Sequence, residues 1–195
     1  MVTSQVELDS YTDAGVLVSV ELVNALALQH AHGRAVATVE PLPAIARILA
    51  IDAPTLSRLR DRDVPGLIAL ADRLQDVFAA LDRDDVDAAA ARLNAMLADH
   101  PAHPHLANED GQWRLHHHPV EAAVVPMCTA ICAEGLARMV GLGHAGRLGT
   151  CRSDDCDRVF VDLSKNASRR FCSTMCQNRV KAAAFRRRHV AASGA

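Results

Sequence analysis

Residues 151–189 read CRSDDCDRVFVDLSKNASRRFCSTMCQNRVKAAAFRRRH and contain four of the six cysteines of the 195-residue chain. Cys151 and Cys156 form one closely spaced pair, and Cys172 and Cys176 form a second. Zinc in structural sites takes four ligands at the corners of a tetrahedron, and thiolates are among its preferred donors. The sequence therefore predicts one structural Zn²⁺ ion held by Cys151, Cys156, Cys172 and Cys176.

The residues between the two pairs indicate how this segment folds. Residues 159–161 (VFV) form a β-like run, a polar Lys-Asn turn follows, and residues 169–171 are predicted to be a returning strand. The second cysteine pair has i, i+4 spacing, which places both thiols on one side of a helix. We therefore expect a small finger, made of a knuckle, a short β-hairpin and a helix, as in treble-clef zinc fingers.

Two other interpretations of the cysteines are less favoured. The four could be buried or oxidised residues without a metal, but a module of about 40 residues has too little core to fold without a staple. They could also hold a catalytic zinc, but four cysteines leave no coordination position for water.

Charge divides the chain into two parts. Residues 1–146 carry 10 basic and 19 acidic side chains, for a net charge of −9, whereas residues 147–195 carry 11 and 4, for +7. The glycine-spaced stretch GLGHAGRLG, which ends at Gly149, lies where the charge changes. We predict an acidic, mostly helical domain at 1–146 and a basic zinc finger at 147–195.

The acidic part has the pattern of a mainly α domain. Apolar residues at three- and four-residue steps predict an amphipathic helix over 64–82. A second helix should follow, with Asp84 or Asp85 as its N-cap, and should pack against the first. Residues 14–30 are compatible with a strand that turns into a helix, or with one buried helix.

A small β-hairpin is predicted within 103–118, around the turn sequence NEDG. Trp113 and Leu115 alternate with polar neighbours, as on a half-buried strand. Helix is expected again over 119–140, where Pro126 should either kink the helix or lie at its start.

Several histidines near this hairpin could form a second metal or haem site, although a solvated surface is the favoured interpretation. They are His100, His103, His105, His116, His117 and His118. Cys128 and Cys132 lie in a thoroughly apolar segment, which favours buried free thiols over redox sensing. No phosphate loop, nucleophile elbow or two-histidine metalloprotease motif is present, so we do not expect an enzyme.

The stretch from Arg147 to His189 resembles the C-terminal CGNR zinc finger of bacterial proteins whose N-terminal part is the ABATE domain. Those proteins are described as stress-induced transcription regulators. The resemblance rests on the cysteine pairs, Phe160-Val161-Asp162, the segment from Ser164 to Arg170, the signature from Cys176 to Arg179, and Lys181. It implies a metal site at the four cysteines and a regulatory function.

The resemblance extends weakly to the N-terminal part, where residues 21–24 (Glu-Leu-Val-Asn) are similar to that family's Asp-Leu-Val-Asn stretch. One departure is visible in the signature, because Gln177 stands where the family has glycine. Glutamine is not a ligand there, so metal binding should survive. Thr174 and Gln177 together make a capping-box pattern at the start of the helix.

The basic helix is the candidate nucleic-acid contact, because arginine and asparagine can read base edges in a major groove while other basic residues hold phosphates. Helical spacing places Arg179, Ala183 and Arg187 on one face and leaves Phe185 as the expected anchor to the finger. The candidate contacts are Arg169, Arg170, Asn178, Arg179, Lys181, Arg186, Arg187 and Arg188. A merely solvated helix is the alternative. Asn178 and Arg179, which lie near Cys176, could instead bond the thiolates or the hairpin backbone.

These patterns predict a zinc-dependent DNA-binding transcriptional regulator that binds double-stranded DNA as a homodimer and responds to an unknown small effector. The N-terminus lacks a secretory pattern and no apolar run approaches about 20 residues, so we expect a cytoplasmic protein without a membrane partner. Alternatives are RNA binding, a protein-interaction module with a structural finger, or a small-molecule-binding domain with a polar pocket near Trp113.

Overall fold

The computed structural model describes residues 10–37, 39–100, 104–109, 111–116 and 122–193. Its helices are α1 (Ser10–Leu26), α2 (Pro41–Ile48), α3 (Ala53–Arg58), α4 (Val64–Asp82), α5 (Val86–Asp99), α6 (Val124–Gly141) and α7 (Thr174–Ser193). Its strands are β1 (His30–Ala31), β2 (Arg34–Ala35), β3 (His105–Glu109), β4 (Gln112–His116), β5 (Leu148–Thr150) and β6 (Val159–Val161). The predicted mainly α architecture with small hairpins and a C-terminal cysteine cluster is confirmed.

Helices α1, α4, α5 and α6 enclose the main hydrophobic core. Helix α1 packs against α4 and α6, and α5 packs against the same two helices. The apolar stripe of α4 points inward, so that Leu74, Val77 and Phe78 are completely buried. Burial of this kind stabilises a fold by roughly 25 cal/mol for each Å² of apolar surface removed from water.

The predicted helix over 64–82 is confirmed as α4 with the same bounds. The side chain of Asp85 caps α5, because its Oδ1 accepts the Ala88 N–H at 3.0 Å. The segment 14–30 is not a strand that turns into a helix, because its first part belongs to α1 and is buried on several sides.

Helix α6 begins at Val124, so Pro126 lies in its first turn. The first N–H groups of a helix have no partner inside the helix, and a proline costs little there. Pro126 therefore lies at the helix start, and no kink is needed. Residues 117–121, where the helix was expected to begin, lie outside the described residues.

Helix α6 is 18 residues long and apolar enough, by length and composition, to cross a membrane. In the structure it lies in the core, and 56% of it is buried. Its close contact with α1 depends on glycine, because a Cβ atom on Gly15 would collide with the backbone carbonyl oxygen of Ile131. A core helix accounts for both observations.

The hairpin of β3 and β4 has the predicted position, and its register pairs His105 with His116. The prediction that Trp113 and Leu115 are half-buried is wrong, because they are 67% and 44% exposed. Strand residues alternate between two faces. Here the inward face is that of His116, whose buried ring stacks on His105 with 5.2 Å between ring centroids.

Strand β5 pairs antiparallel with β6, and this pair connects the C-terminal part to the helices. The returning strand predicted at 169–171 is therefore wrong, since the partner of β6 precedes it in sequence. Leu148, Val159 and Val161 belong to the same hydrophobic core as α1 and α4. The boundary after residue 146 stays a prediction, and the two sides of it share one core.

Candidate metal centre and basic helix

The two cysteine pairs lie on a turn and on a helix start. Cys151 and Cys156 flank a turn in which Asp155 has a left-handed backbone with φ of 52°. Cys176 is in the first turn of α7, where its N–H group is 3.4 Å from the accepting Oγ of Ser173. Ser173 therefore caps the helix, and the capping box expected from Thr174 and Gln177 is not formed, because Thr174 is already helical.

Three of the cysteines have the spacing of metal ligands. The Sγ atom of Cys156 lies 3.8 Å from those of Cys172 and Cys176, and the latter two are 3.6 Å apart. Tetrahedral zinc with bonds of about 2.3 Å to sulfur requires sulfur atoms about 3.8 Å from one another. These donors therefore fit a zinc ion, whose chemistry there is structural.

Two residues compete for the fourth position. Cys151 is buried in the same cluster, and its thiol interacts with that of Cys172. His32 brings its Nδ1 to 3.3 Å from Cys176 Sγ and 3.9 Å from Cys172 Sγ. Among the described residues, one group could hold a metal through one ligand atom from each member, and these atoms all lie within 4.8 Å of one another. Its members are His32, Cys156, Cys172 and Cys176. Cys151 as a ligand stays a prediction.

Sequence analysis missed His32, which lies 124 residues before Cys156. Neither its spacing nor its neighbours carry a metal-ligand pattern, and only the fold brings it to the cysteines. In the metal-free protein, burial acts to raise the pKa of Cys176, but hydrogen bonds from His32, Cys172 and Cys156 lower it to about 6. Burial raises the pKa of Cys151 and of Cys172.

The β1–β2 hairpin holds the first cysteine pair through its backbone. The N–H group of His30 donates to Asp157 Oδ2 at 2.7 Å, and Asp157 N–H donates back to the His30 carbonyl at 3.0 Å. The N–H group of Gly33 donates to the Asp155 carbonyl at 2.9 Å. The N-terminal part of the chain therefore forms one wall of the metal centre.

Asn24 makes a second connection, between α1 and the finger. Its side-chain amide donates to the Val159 carbonyl and accepts the Val159 N–H, both at 3.0 Å. It thus completes the backbone pairing of β6. Asn24 ends the Glu-Leu-Val-Asn stretch that carries the N-terminal resemblance, and this contact gives that asparagine a structural role.

The side chain of Arg179 makes its hydrogen bonds within the finger. Its guanidinium donates to Ser153 Oγ and to the Asp154 carbonyl, each at 3.1 Å, and lies against Gly33. Of the two interpretations of this residue, bonding to the finger is the one present in the structure. Asn178, its neighbour, is exposed.

Arg169 also bonds the finger. Its guanidinium donates to the carbonyls of Val161 at 3.2 Å, Phe171 at 2.9 Å and Cys172. Its backbone N–H donates to the buried carboxylate of Asp162. Burial opposes ionisation of Asp162, but hydrogen bonds from Ser164 and Arg169 lower its pKa. Arg169 and Asp162 together therefore hold the segment that was predicted to be a strand.

The remaining predicted contacts are available at the surface. Of these candidates, five have exposed side chains with no hydrogen bond or ion pair to any described residue: Arg170, Lys181, Arg186, Arg187 and Arg188. Phe185 is 56% exposed and contacts His189, with 4.2 Å between ring centroids. The prediction that Phe185 anchors the helix is therefore wrong.

The position of Cys176 on α7 explains why Phe185 faces solvent. Cys176 is fully buried, so its neighbours three, four and seven positions later, Arg179, Val180 and Ala183, face the finger and are partly buried. The face predicted from Arg179 and Ala183 is thus the inner one near the metal. Lys181 and Phe185 lie on the outer side.

The other candidate groups do not form a second site among the described residues. His103, His117 and His118 lie outside the described residues. Among the described residues, the group that could hold a metal is the one that contains His32. Cys128 and Cys132 are buried free thiols, as predicted, and burial raises the pKa of Cys132 to about 12.

Comparison with protein families gives a match over residues 147–189 to the model of the CGNR zinc finger. No curated protein matches the chain. The matched residues contain both cysteine pairs, the β6 strand and most of α7. Residues 147–189 of this chain are therefore a zinc finger segment that is similar to the CGNR zinc finger.

Proposed function

We propose that this protein is a zinc-dependent, DNA-binding transcriptional regulator. The observation that carries the proposal is the exposed basic surface of α7, where Lys181, Arg186, Arg187 and Arg188 have no partner among the described residues. Basic side chains that no internal acid neutralises are suited to phosphates.

The anchoring of α7 supports contact with a duplex. The first turns of the helix are fixed by Cys176 and Arg179, whereas residues 185–189 are exposed. A helix of this kind can enter a major groove, in which an exposed Asn178 can read adenine. The metal then acts as a scaffold that orients the helix.

The acidic N-terminal part is proposed to be an ABATE-like regulatory domain that binds a small effector or a second subunit. A single small finger reads only a few base pairs, so a homodimer would give useful specificity. A role in the stress response and a cytoplasmic location belong to the same proposal, as does the absence of an enzymatic activity. Free thiols at the metal centre suit a reducing compartment.

Salt titration of binding to duplex DNA tests the proposal. Counterion release makes the affinity fall as salt rises, with a slope that reflects the number of phosphate contacts. Replacing Arg186, Arg187 and Arg188 with Ala should weaken binding and reduce the slope by about one for each lost contact.

A matched control replaces three exposed arginines of the acidic part, Arg47, Arg62 and Arg83, with Ala. This variant loses the same charge, so its salt slope should stay close to that of the parent protein. Binding that is independent of salt, or equal losses in both variants, would contradict the proposal. Sequencing the genomic fragments retained by the protein would identify the target site.

The exposed Phe185 favours a second candidate, in which α7 docks an acidic protein partner. Aromatic and arginine side chains are enriched at protein interfaces. Partner capture that survives nuclease treatment, together with no shift of duplex DNA, would support this candidate. Capture of RNA in preference to duplex DNA would support the RNA-binding alternative.

A further inference from the structure

We propose that His32 is a ligand of the metal of the zinc finger, through its Nδ1 atom, together with Cys156, Cys172 and Cys176. The site would then be built from both parts of the chain, with one ligand on the β1–β2 hairpin and three in the CGNR segment. The inference concerns the metal alone and does not depend on DNA binding.

The distances fit a tetrahedron of three sulfurs and one nitrogen. With bonds of about 2.3 Å to sulfur and about 2.0 Å to nitrogen, the nitrogen should lie about 3.5 Å from each sulfur. The Nδ1 atom of His32 lies 3.3 Å from Cys176 Sγ and 3.9 Å from Cys172 Sγ, one on either side of that value. The three sulfur–sulfur distances are 3.6 to 3.8 Å.

The hairpin positions the imidazole. His32 has a φ of 55°, in the left-handed region that residues other than glycine seldom adopt. Its backbone N–H points at Cys156 Sγ at 3.4 Å, and the next residue, Gly33, bonds the Asp155 carbonyl at 2.9 Å. These backbone contacts fix the turn against the cysteines, so that the ring enters the cluster with little freedom to leave it.

The alternative is a four-cysteine site in which the imidazole only donates a hydrogen bond to Cys176. A hydrogen bond requires one short contact, whereas His32 is placed near two sulfurs at distances that match the edges of a coordination tetrahedron. Cys151 does not belong to the donor group whose atoms all lie within 4.8 Å of one another. Its thiol interacts with that of Cys172 and its backbone N–H bonds the Arg158 carbonyl at 2.8 Å, so Cys151 lies in the knuckle beside that donor group.

X-ray absorption at the zinc edge of the full-length, zinc-loaded protein tests the assignment directly. The expected shell contains three sulfurs and one nitrogen. A shell of four sulfurs would overturn the proposal, whatever the behaviour of any variant.

Cobalt-substituted protein and three variants identify the nitrogen ligand. His32→Asn removes the imidazole while keeping a residue that tolerates a positive φ. Cys151→Ser removes the competing thiol, and His144→Asn removes a histidine outside the cluster as a control. We expect His32→Asn to change the ligand-field spectrum and weaken metal affinity by at least about 100-fold, while the other two variants retain the parent spectrum. A spectrum that responds to Cys151→Ser and not to His32→Asn would contradict the assignment.

Discussion

The helical part and the finger are stabilised by different forces. In the helical part, side chains such as Leu22, Phe78 and Leu136 are completely buried in one large core. The finger's own apolar cluster consists of Cys151, Cys156 and Cys176, with Phe171 and Cys172 against it. Hydrophobic burial therefore suffices for the first part, whereas the second depends on ligation and on hydrogen bonds to its neighbour.

This difference shows what each part needs in order to fold. The helices contribute their own core, and the β5–β6 pair extends it through Leu148, Val159 and Val161. Polar contacts from Asn24, His30 and His32 also join the finger to the N-terminal part. The finger is thus held at its strands and at the turn between Cys151 and Cys156. We expect the cysteine cluster itself to need the metal for stability.

Metal removal should have the largest effect. Binding of zinc contributes roughly 10–16 kcal/mol in isolated fingers, and most of it is folding free energy. We expect a strong chelator to abolish the order of the cysteine cluster and of α7, while the helical part keeps a cooperative thermal transition. Circular dichroism measures both, and adding zinc should restore the lost helix signal.

Thiol counting provides the internal control for this prediction. After chelation the four finger thiols should react with a thiol reagent at pH 8, whereas Cys128 and Cys132 should not, because burial raises the pKa of both. Reaction of all six thiols would show that the helical part also unfolds without metal, and the proposed difference between the two parts would be lost.

Phe78→Ala should give the next largest effect, in the opposite part. The side chain is completely buried on α4, and such truncations cost about 3–5 kcal/mol because they leave a cavity. Denaturant unfolding should show this loss in the transition of the helical part.

Phe185→Ala is the matched control for Phe78→Ala, because Phe185 is exposed on α7. It should change the free energy of unfolding by less than about 0.5 kcal/mol. A large loss in this control would mean that Phe185 is packed, for example in a dimer interface, and that α7 is not a free surface.

The two parts were also predictable to different degrees. Periodicity alone locates α4, because the buried face of an amphipathic helix repeats every three to four residues. Residue type left Asp84 and Asp85 as candidate caps of α5, and the structure shows that Asp85 is the cap. Cysteine spacing locates the finger for a similar reason, since ligands must converge on one point. The orientation of α7 could have been predicted as well. The ligand Cys176 must face the metal, and Arg179, three positions later, lies on the same helix face.

Contacts between the parts were not predictable. The residue pattern predicts a partner for β6 at 169–171, whereas the observed partner, β5, precedes β6 in a stretch whose glycines indicate a break. A Cβ atom on Gly149 would lie 3.1 Å from the ring of Phe160, so a larger residue there would require that ring to shift. His32 gave no signal at all, since only tertiary packing brings a histidine of the N-terminal part to the cysteines.

Asn24→Ala should have an intermediate effect at the boundary between the parts. It leaves the N–H and the carbonyl of Val159 without their partner, and such losses cost about 1–3 kcal/mol. Thermal unfolding of the zinc-loaded protein measures the change. Asn178→Ala, at an exposed position, is the control and should be neutral. A cost below about 0.5 kcal/mol for Asn24→Ala would mean that the parts do not depend on this contact.

The smallest effect is expected from Arg179→Lys, which separates the inner side of α7 from the outer. Lysine keeps the charge but cannot bridge Ser153 and Asp154 as the planar guanidinium does. Stability of the zinc-loaded protein should fall by about 1 kcal/mol, while the salt slope of duplex binding stays unchanged. Lys181→Ala should do the reverse, lowering the slope by about one and leaving stability unchanged. If Arg179→Lys instead weakened DNA binding at constant stability, the inner side of α7 would also have to contact nucleic acid.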